Sequence, residues 1–114
     1  MSSHITIQPA QGTWVVRSDG AVLAESRRAL ELREGSTPPV IYFPREDVAL
    51  ALFEPSPTRT RCPWKGDASY FSLVGGDHRI ADAAWSYEEP IEGDVRAIRG
   101  HLAFYPSKVT LERA

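Results

Sequence analysis

A single cysteine, Cys62, in a chain of 114 residues excludes an intramolecular disulfide and leaves nothing to mark an oxidising compartment. It also excludes the paired-cysteine sets that hold structural zinc, which needs about four ligands, usually Cys and His. His4, His78 and His101 are scattered, with no paired spacing among themselves or with Cys62. A carboxylate-assisted set drawing on Asp47, Asp67 or Asp82 is the remaining alternative, and no metal and no cofactor is expected. Excess positive charge is also lacking. A net charge of −2 offers a polyanion no overall attraction, so nucleic acid is not an expected partner. No apolar run approaches the ~18 residues of a membrane span. Met1 to Ile5 has no basic start leading into an apolar stretch, so a soluble, cytoplasmic protein without a membrane partner is expected. Neither Gly-x-x-x-x-Gly-Lys-Ser/Thr nor Gly-x-Gly-x-x-Gly occurs, which removes the common nucleotide-binding fingerprints.

What is present suits one ordinary globular domain over residues 1–114, with 42% apolar and 25% charged residues. Turn signals are frequent and apolar runs are short. Thr13 to Arg17 and Ala21 to Ala24 flank Ser18-Asp19-Gly20, a hairpin signature. Val40 to Phe43 is a β-branched and aromatic run that stops at Pro44. Tyr70 to Val74 leads into a turn at Gly75-Gly76-Asp77, and a further strand emerges from Arg79 to Tyr87. His101 to Tyr105, Pro106-Ser107-Lys108 and Val109 to Glu112 read as a last hairpin, with Leu102, Phe104, Val109 and Leu111 alternating with polar neighbours. Two short helices are expected. One runs from Ser26 to Glu34 with Gly35 as its C-cap; the other runs from Arg45 to Phe53, ended by Pro55 and Pro57. With no long connecting helices, the fold class is mainly β and mostly antiparallel.

Chemistry concentrates in Thr58 to Tyr70, read as a loop. It holds Cys62, Arg59, Arg61 and Lys65, with Pro63 and Gly66 restraining the backbone. Arg61 and Lys65 would favour a Cys62 thiolate, with His101 or His78 as base, which makes Cys62 the candidate catalytic residue. The blander alternative makes Cys62 a small buried hydrophobe that locks the segment. In an extended backbone Arg59 and Arg61 share a face, and Gly66 lets a ligand approach, so the segment suits an anion. Alternatively it is a surface loop whose arginines pair with Glu46, Asp47 or Glu54. Arg45 and Asp47 sit at the start of the second expected helix, where Asp47 is a general base, a helix cap or, as expected here, a clamp on Lys65 or Arg61. Trp14 is assigned to the core. Trp64 and Trp85 are read either as core residues or, with Tyr70, as the lining of a pocket, among Tyr42, Tyr87 and Tyr105.

Tyr42-Phe43-Pro44-Arg45-Glu46-Asp47-Val48, Thr60 to Tyr70, Ala84-Trp85-Ser86-Tyr87 and Ala103-Phe104-Tyr105 occur in that order. Together they resemble the signature of the domain of unknown function 427 family, and the resemblance spans nearly the whole chain. It implies a small, mainly β domain of β-tent or barrel-like form and implies no activity. Structural zinc in β-tent proteins is typically held by two Cys-x-x-Cys pairs, from which this chain departs.

Three function classes follow. The favoured one is a binding module for a small anionic or neutral ligand, using Arg45, Asp47, Arg61, Trp64, Lys65, Tyr70 and Trp85. The second is an enzyme using Cys62, and the third is a structural or protein-interaction domain. Exposed β edges permit a homodimer without requiring one.

Overall fold

Asp19 and Gly20 both adopt positive φ, 48° and 83°, in the computed structural model, the backbone that a two-residue hairpin turn demands. They join β2 (Trp14–Ser18) to β3 (Ala21–Ser26) where Asp-Gly was read as a turn. The structure describes residues 4–75, 79–91 and 93–114. The expected turn at Gly76 and Asp77, and His78, lie outside the described residues.

The fold is mainly β, and the described residues form three antiparallel sheets that do not close into a barrel. The first contains β1 (Ile5–Pro9), β4 (Leu30–Glu34) and β5 (Val40–Tyr42), in the order β1-β4-β5. The second places β10 (Thr110–Arg113) beside β2 and β3. The third runs β6-β7-β8-β9, from Phe53–Cys62 through Gly66–Leu73 and Ile80–Ser86 to Leu102–Phe104. Bridges from Ala24 to Val48 and from Phe43 to Leu102 tie the sheets together. Among the described residues, no helix is long and apolar enough to cross a membrane.

Several local expectations are corrected. Ser26 to Glu34 is not a helix: Ser26 ends β3, and Leu30–Glu34 is a strand between β1 and β5. Its residues are good helix formers, but Leu30 and Leu32 alternate with Glu31 and Arg33. Pairing on both edges places Leu32 in the core, 2% exposed, so burial overrides propensity. Gly35, with φ 59°, turns the chain after a strand rather than capping a helix. Arg45 to Phe53 contains only two 3₁₀ turns, Arg45–Asp47 and Leu50–Leu52. Between them buried Val48 is extended and bridges Ala24, which interrupts helical hydrogen bonding. Pro55 and Pro57 lie inside β6, an edge strand, at a register irregularity where missing N–H groups are tolerated.

Thr58 to Tyr70 is likewise not a loop. It is the tip of the β6–β7 hairpin, with Cys62 opposite Gly66 and only Pro63-Trp64-Lys65 in the turn. At the C-terminal end both strands occur, but they do not pair with each other. β9 joins β8, whereas β10 joins β2, because the apolar positions serve different sheets.

Two apolar clusters result. One is centred on Val16, Phe43, Leu73, Leu102 and Phe104. The other gathers Leu32, Tyr42, Tyr70, Tyr87 and Ile98. The second cluster is rich in phenols, and it borders the cavity described next.

Candidate functional site

Cross-strand register brings the aromatic residues together. Tyr70 on β7 lies opposite Trp85 on β8, and Trp85 opposite Ala103 on β9, so alternation points Tyr70, Trp85 and the following Tyr87 toward one face. Tyr42 arrives from β5 and Tyr105 from the residue after β9. These five rings, with Leu32, Glu34, Thr37, Pro38, Val40 and Lys65, line a cavity of about 210 Å³. Trp85 stands edge-on to Tyr42, with ring centres 6.4 Å apart, and is tilted against Tyr105 at 4.5 Å. Polar edges of the rings are ordered as well. The Trp85 indole N–H donates to the Tyr42 hydroxyl at 3.3 Å, the Tyr105 hydroxyl donates to that of Tyr70 at 3.5 Å, and Tyr70 and Thr60 share a 2.8 Å hydrogen bond.

Lys65 supplies the ammonium of the site and is only 8% exposed. The hairpin turn holds it: its N–H donates to the Cys62 carbonyl at 3.3 Å, and its carbonyl accepts from the Ile91 N–H at 3.1 Å. Gly66 follows with φ at 111°, a backbone that favours glycine and sets the turn. The Lys65 ammonium donates to Glu34 Oε1 at 2.7 Å and lies 5.9 Å from the centre of the Tyr87 ring. Glu34 Oε2 meets His4 Nε2 at 3.5 Å. The hydrogen bond from Lys65 holds the Glu34 carboxyl below the usual range, against the opposing effect of burial. Burial raises the Tyr42 and Tyr87 phenols well above their ordinary range. Tyr105 is pushed up to about 12, first by burial and then by its hydrogen bond to Tyr70. All three phenols are therefore neutral at physiological pH and present hydroxyl groups.

Of the residues singled out in the sequence, Lys65, Tyr70 and Trp85 converge on this cavity. Arg45 is engaged elsewhere, over the Phe71 ring at 5.5 Å and donating to the Gly100 carbonyl at 2.8 Å and to Glu88 at 3.2 Å. Asp47 does not clamp Lys65 or Arg61. It accepts from Ser26 Oγ at 2.6 Å and pairs with Arg28, tying its 3₁₀ turn to the end of β3. Arg61 pairs with Asp67 across the hairpin on the solvent face. Arg59 also faces solvent and folds back on the Ser56 and Thr58 carbonyls at 2.8 Å each. Trp64 stands outside the cavity, 50% exposed, with His4 packed edge-on at 4.8 Å.

Cys62 is half-buried against the second cluster, near enough to Tyr42 and Tyr87 that a thiolate there would push both phenols further up. The bases considered for it are placed otherwise: His101 Nδ1 lies 3.1 Å from the Arg99 carbonyl, and His78 is outside the described residues. Among the described residues no His, Cys, Asp or Glu group is arranged to hold a metal ion.

Glu34 is the site residue that sequence reasoning missed, because it had been placed at the end of a helix. The alternation across Leu30, Leu32 and Glu34 was the available signal, and it puts Glu34 on the face of buried Leu32. Tyr42, Tyr87 and Tyr105 had been noted as aromatics without being assigned to a site.

The family model described as Domain of unknown function (DUF427) matches residues 6–114, and the chain belongs to that family. No curated protein matches the chain.

Proposed function

We propose that this member of the family is a small-molecule binding protein whose site is the phenol-lined cavity above the Lys65–Glu34 pair. One observation carries the reading. Five aromatic side chains from four separate segments converge around an ammonium that is almost wholly buried, and polar edges of these rings are held in place by hydrogen bonds. Apolar walls with a few convergent polar groups are the general form of a ligand pocket. At about 210 Å³ the cavity falls below the roughly 300–1,000 Å³ of drug-sized sites, so the ligand is small. Binding is favoured over catalysis because Cys62 has no described base poised on it, whereas the cavity already has walls and donors.

The test is a titration of the intact protein with a panel of small neutral and anionic compounds, following tryptophan emission, with Trp85→Phe as the reference. A saturable change that Trp85→Phe abolishes is expected. A panel that leaves the emission of the folded wild type unaltered, and raises its melting temperature for no compound, overturns the reading.

A further inference from the structure

Resting on the reading of this cavity as a ligand site, we infer that its ligand is an uncharged, planar molecule presenting a carbonyl-type acceptor, and that anions and cations are selected against. Charge balance is the first support. Among the described residues, Lys65 and Glu34 are the only charged ones on the lining, and they neutralise each other at 2.7 Å. The guanidinium groups of Arg45 and Arg61, which would have made the pocket basic, are paired with Glu88 and Asp67 instead. A carboxylate approaching Lys65 would lie against Glu34, and an ammonium would lie against Lys65. Either would lose hydration without meeting an unpaired opposite charge.

The hydrogen-bond inventory is the second support. The Trp85 N–H is engaged by Tyr42, the Tyr105 hydroxyl by Tyr70, and the Thr37 hydroxyl by the Glu34 carbonyl. Lys65 has three ammonium hydrogens and, among the described residues, one acceptor, Glu34. The hydroxyl hydrogens of Tyr42 and Tyr87 have no acceptor among the described residues. The cavity thus has a surplus of donors, and an acceptor atom on the ligand would take them up. Burial keeps those phenols protonated, so they remain donors. Aromatic walls, with Trp85 edge-on to Tyr42 and tilted against Tyr105, suit a planar ring, which packs on them by offset or edge contacts.

The experiment is isothermal titration of the intact protein at neutral pH with benzamide, benzoate and benzylamine, a near-isosteric neutral, anionic and cationic set. Benzamide is expected to bind roughly tenfold or more tightly than either charged compound, a difference of about 1.4 kcal/mol. Tyr87→Phe, which removes one hydroxyl, should weaken benzamide about five-fold. Glu34→Gln leaves Lys65 uncompensated and should invert the preference, so that benzoate binds more tightly than benzamide. Circular dichroism melts establish that each variant is folded. Benzoate or benzylamine binding the wild type most tightly, with Tyr87→Phe altering that affinity, overturns the ligand class while leaving the cavity as a site. A benzamide preference that Glu34→Gln does not change overturns the charge-balance basis. Failure of all three to bind the folded wild type overturns the cavity reading itself.

Discussion

Lys65 Nζ and Glu34 Oε1 lie 2.7 Å apart, although 31 residues separate them, and the lysine side chain is 10% exposed. The pair joins the tip of the β6–β7 hairpin to the end of β4, so it fastens two sheets as well as shaping the cavity. Lys65→Met would leave a half-buried carboxylate without its cation. A loss of about 2 kcal/mol in urea denaturation at neutral pH is expected, with Glu34→Gln costing less because an amide oxygen still accepts.

Acid should weaken the same contact. The folded Glu34 carboxyl is held below its ordinary range by Lys65, so its contribution is present above the unfolded glutamate pKa of about 4.3 and is lost as pH falls through the lower folded value. Urea midpoints measured between about pH 6 and pH 3 should fall more steeply for the wild type than for Glu34→Gln. Parallel profiles would remove Glu34 from the linkage.

At alkaline pH the phenols take over. Tyr42 and Tyr87 are raised by burial, and Tyr105 is raised to about 12. Their contribution is complete below the unfolded phenol pKa of about 10 and is lost as pH rises through the folded values. At about pH 11 the phenolate absorbance of the native protein should lie well below that of the urea-denatured chain. Equal absorbance, with native circular dichroism retained, would contradict the burial of these hydroxyls.

Asp47 belongs to the scaffold. Its carboxylate accepts from Ser26 Oγ at 2.6 Å and pairs with Arg28, away from the cavity lining. Asp47→Ala should cost about 1–2 kcal/mol, lowering the melting temperature by roughly 5 °C, while leaving ligand affinity at the cavity unchanged. A loss of affinity without a loss of stability would move Asp47 to the site.

Gly66 is constrained by its φ of 111°, a backbone that L side chains rarely adopt, although a Cβ there would find room against the Glu89 carbonyl oxygen at 3.4 Å. Gly66→Ala should therefore destabilise by about 1–3 kcal/mol. It should also displace Lys65, so affinity and stability fall together. Chemical denaturation and a binding titration on the same preparation check both.

Strand positions were legible wherever local chemistry is decisive. Asp19-Gly20 is read correctly as a turn because only a few residue types tolerate two successive positive φ angles. The Tyr70 and Trp85 runs are read as strands because β-branched and aromatic residues suit a pleated, half-buried surface. Leu30–Glu34 and Val48 were misread because their neighbours are good helix formers and their pairing partners, β1, β5 and Ala24, are far along the chain. The C-terminal strands were found but wrongly paired, since alternation shows which residues face inward and not which sheet they join.

The sequence by itself determined that the chain is mainly β, has no paired-cysteine metal set and concentrates its special residues in Thr58 to Tyr70, around Cys62 and Lys65. Those properties follow from composition and short-range backbone preference. The tertiary structure alone decided that Lys65 meets Glu34 rather than Asp47, and that Arg45 and Arg61 turn away from the cavity. It also decided that four tyrosines and Trp85 line one cavity. Those outcomes depend on register between strands distant in sequence. A shift of one residue sends a side chain to the opposite face, and that choice is made by the burial of Leu32, Tyr42 and Tyr70 together.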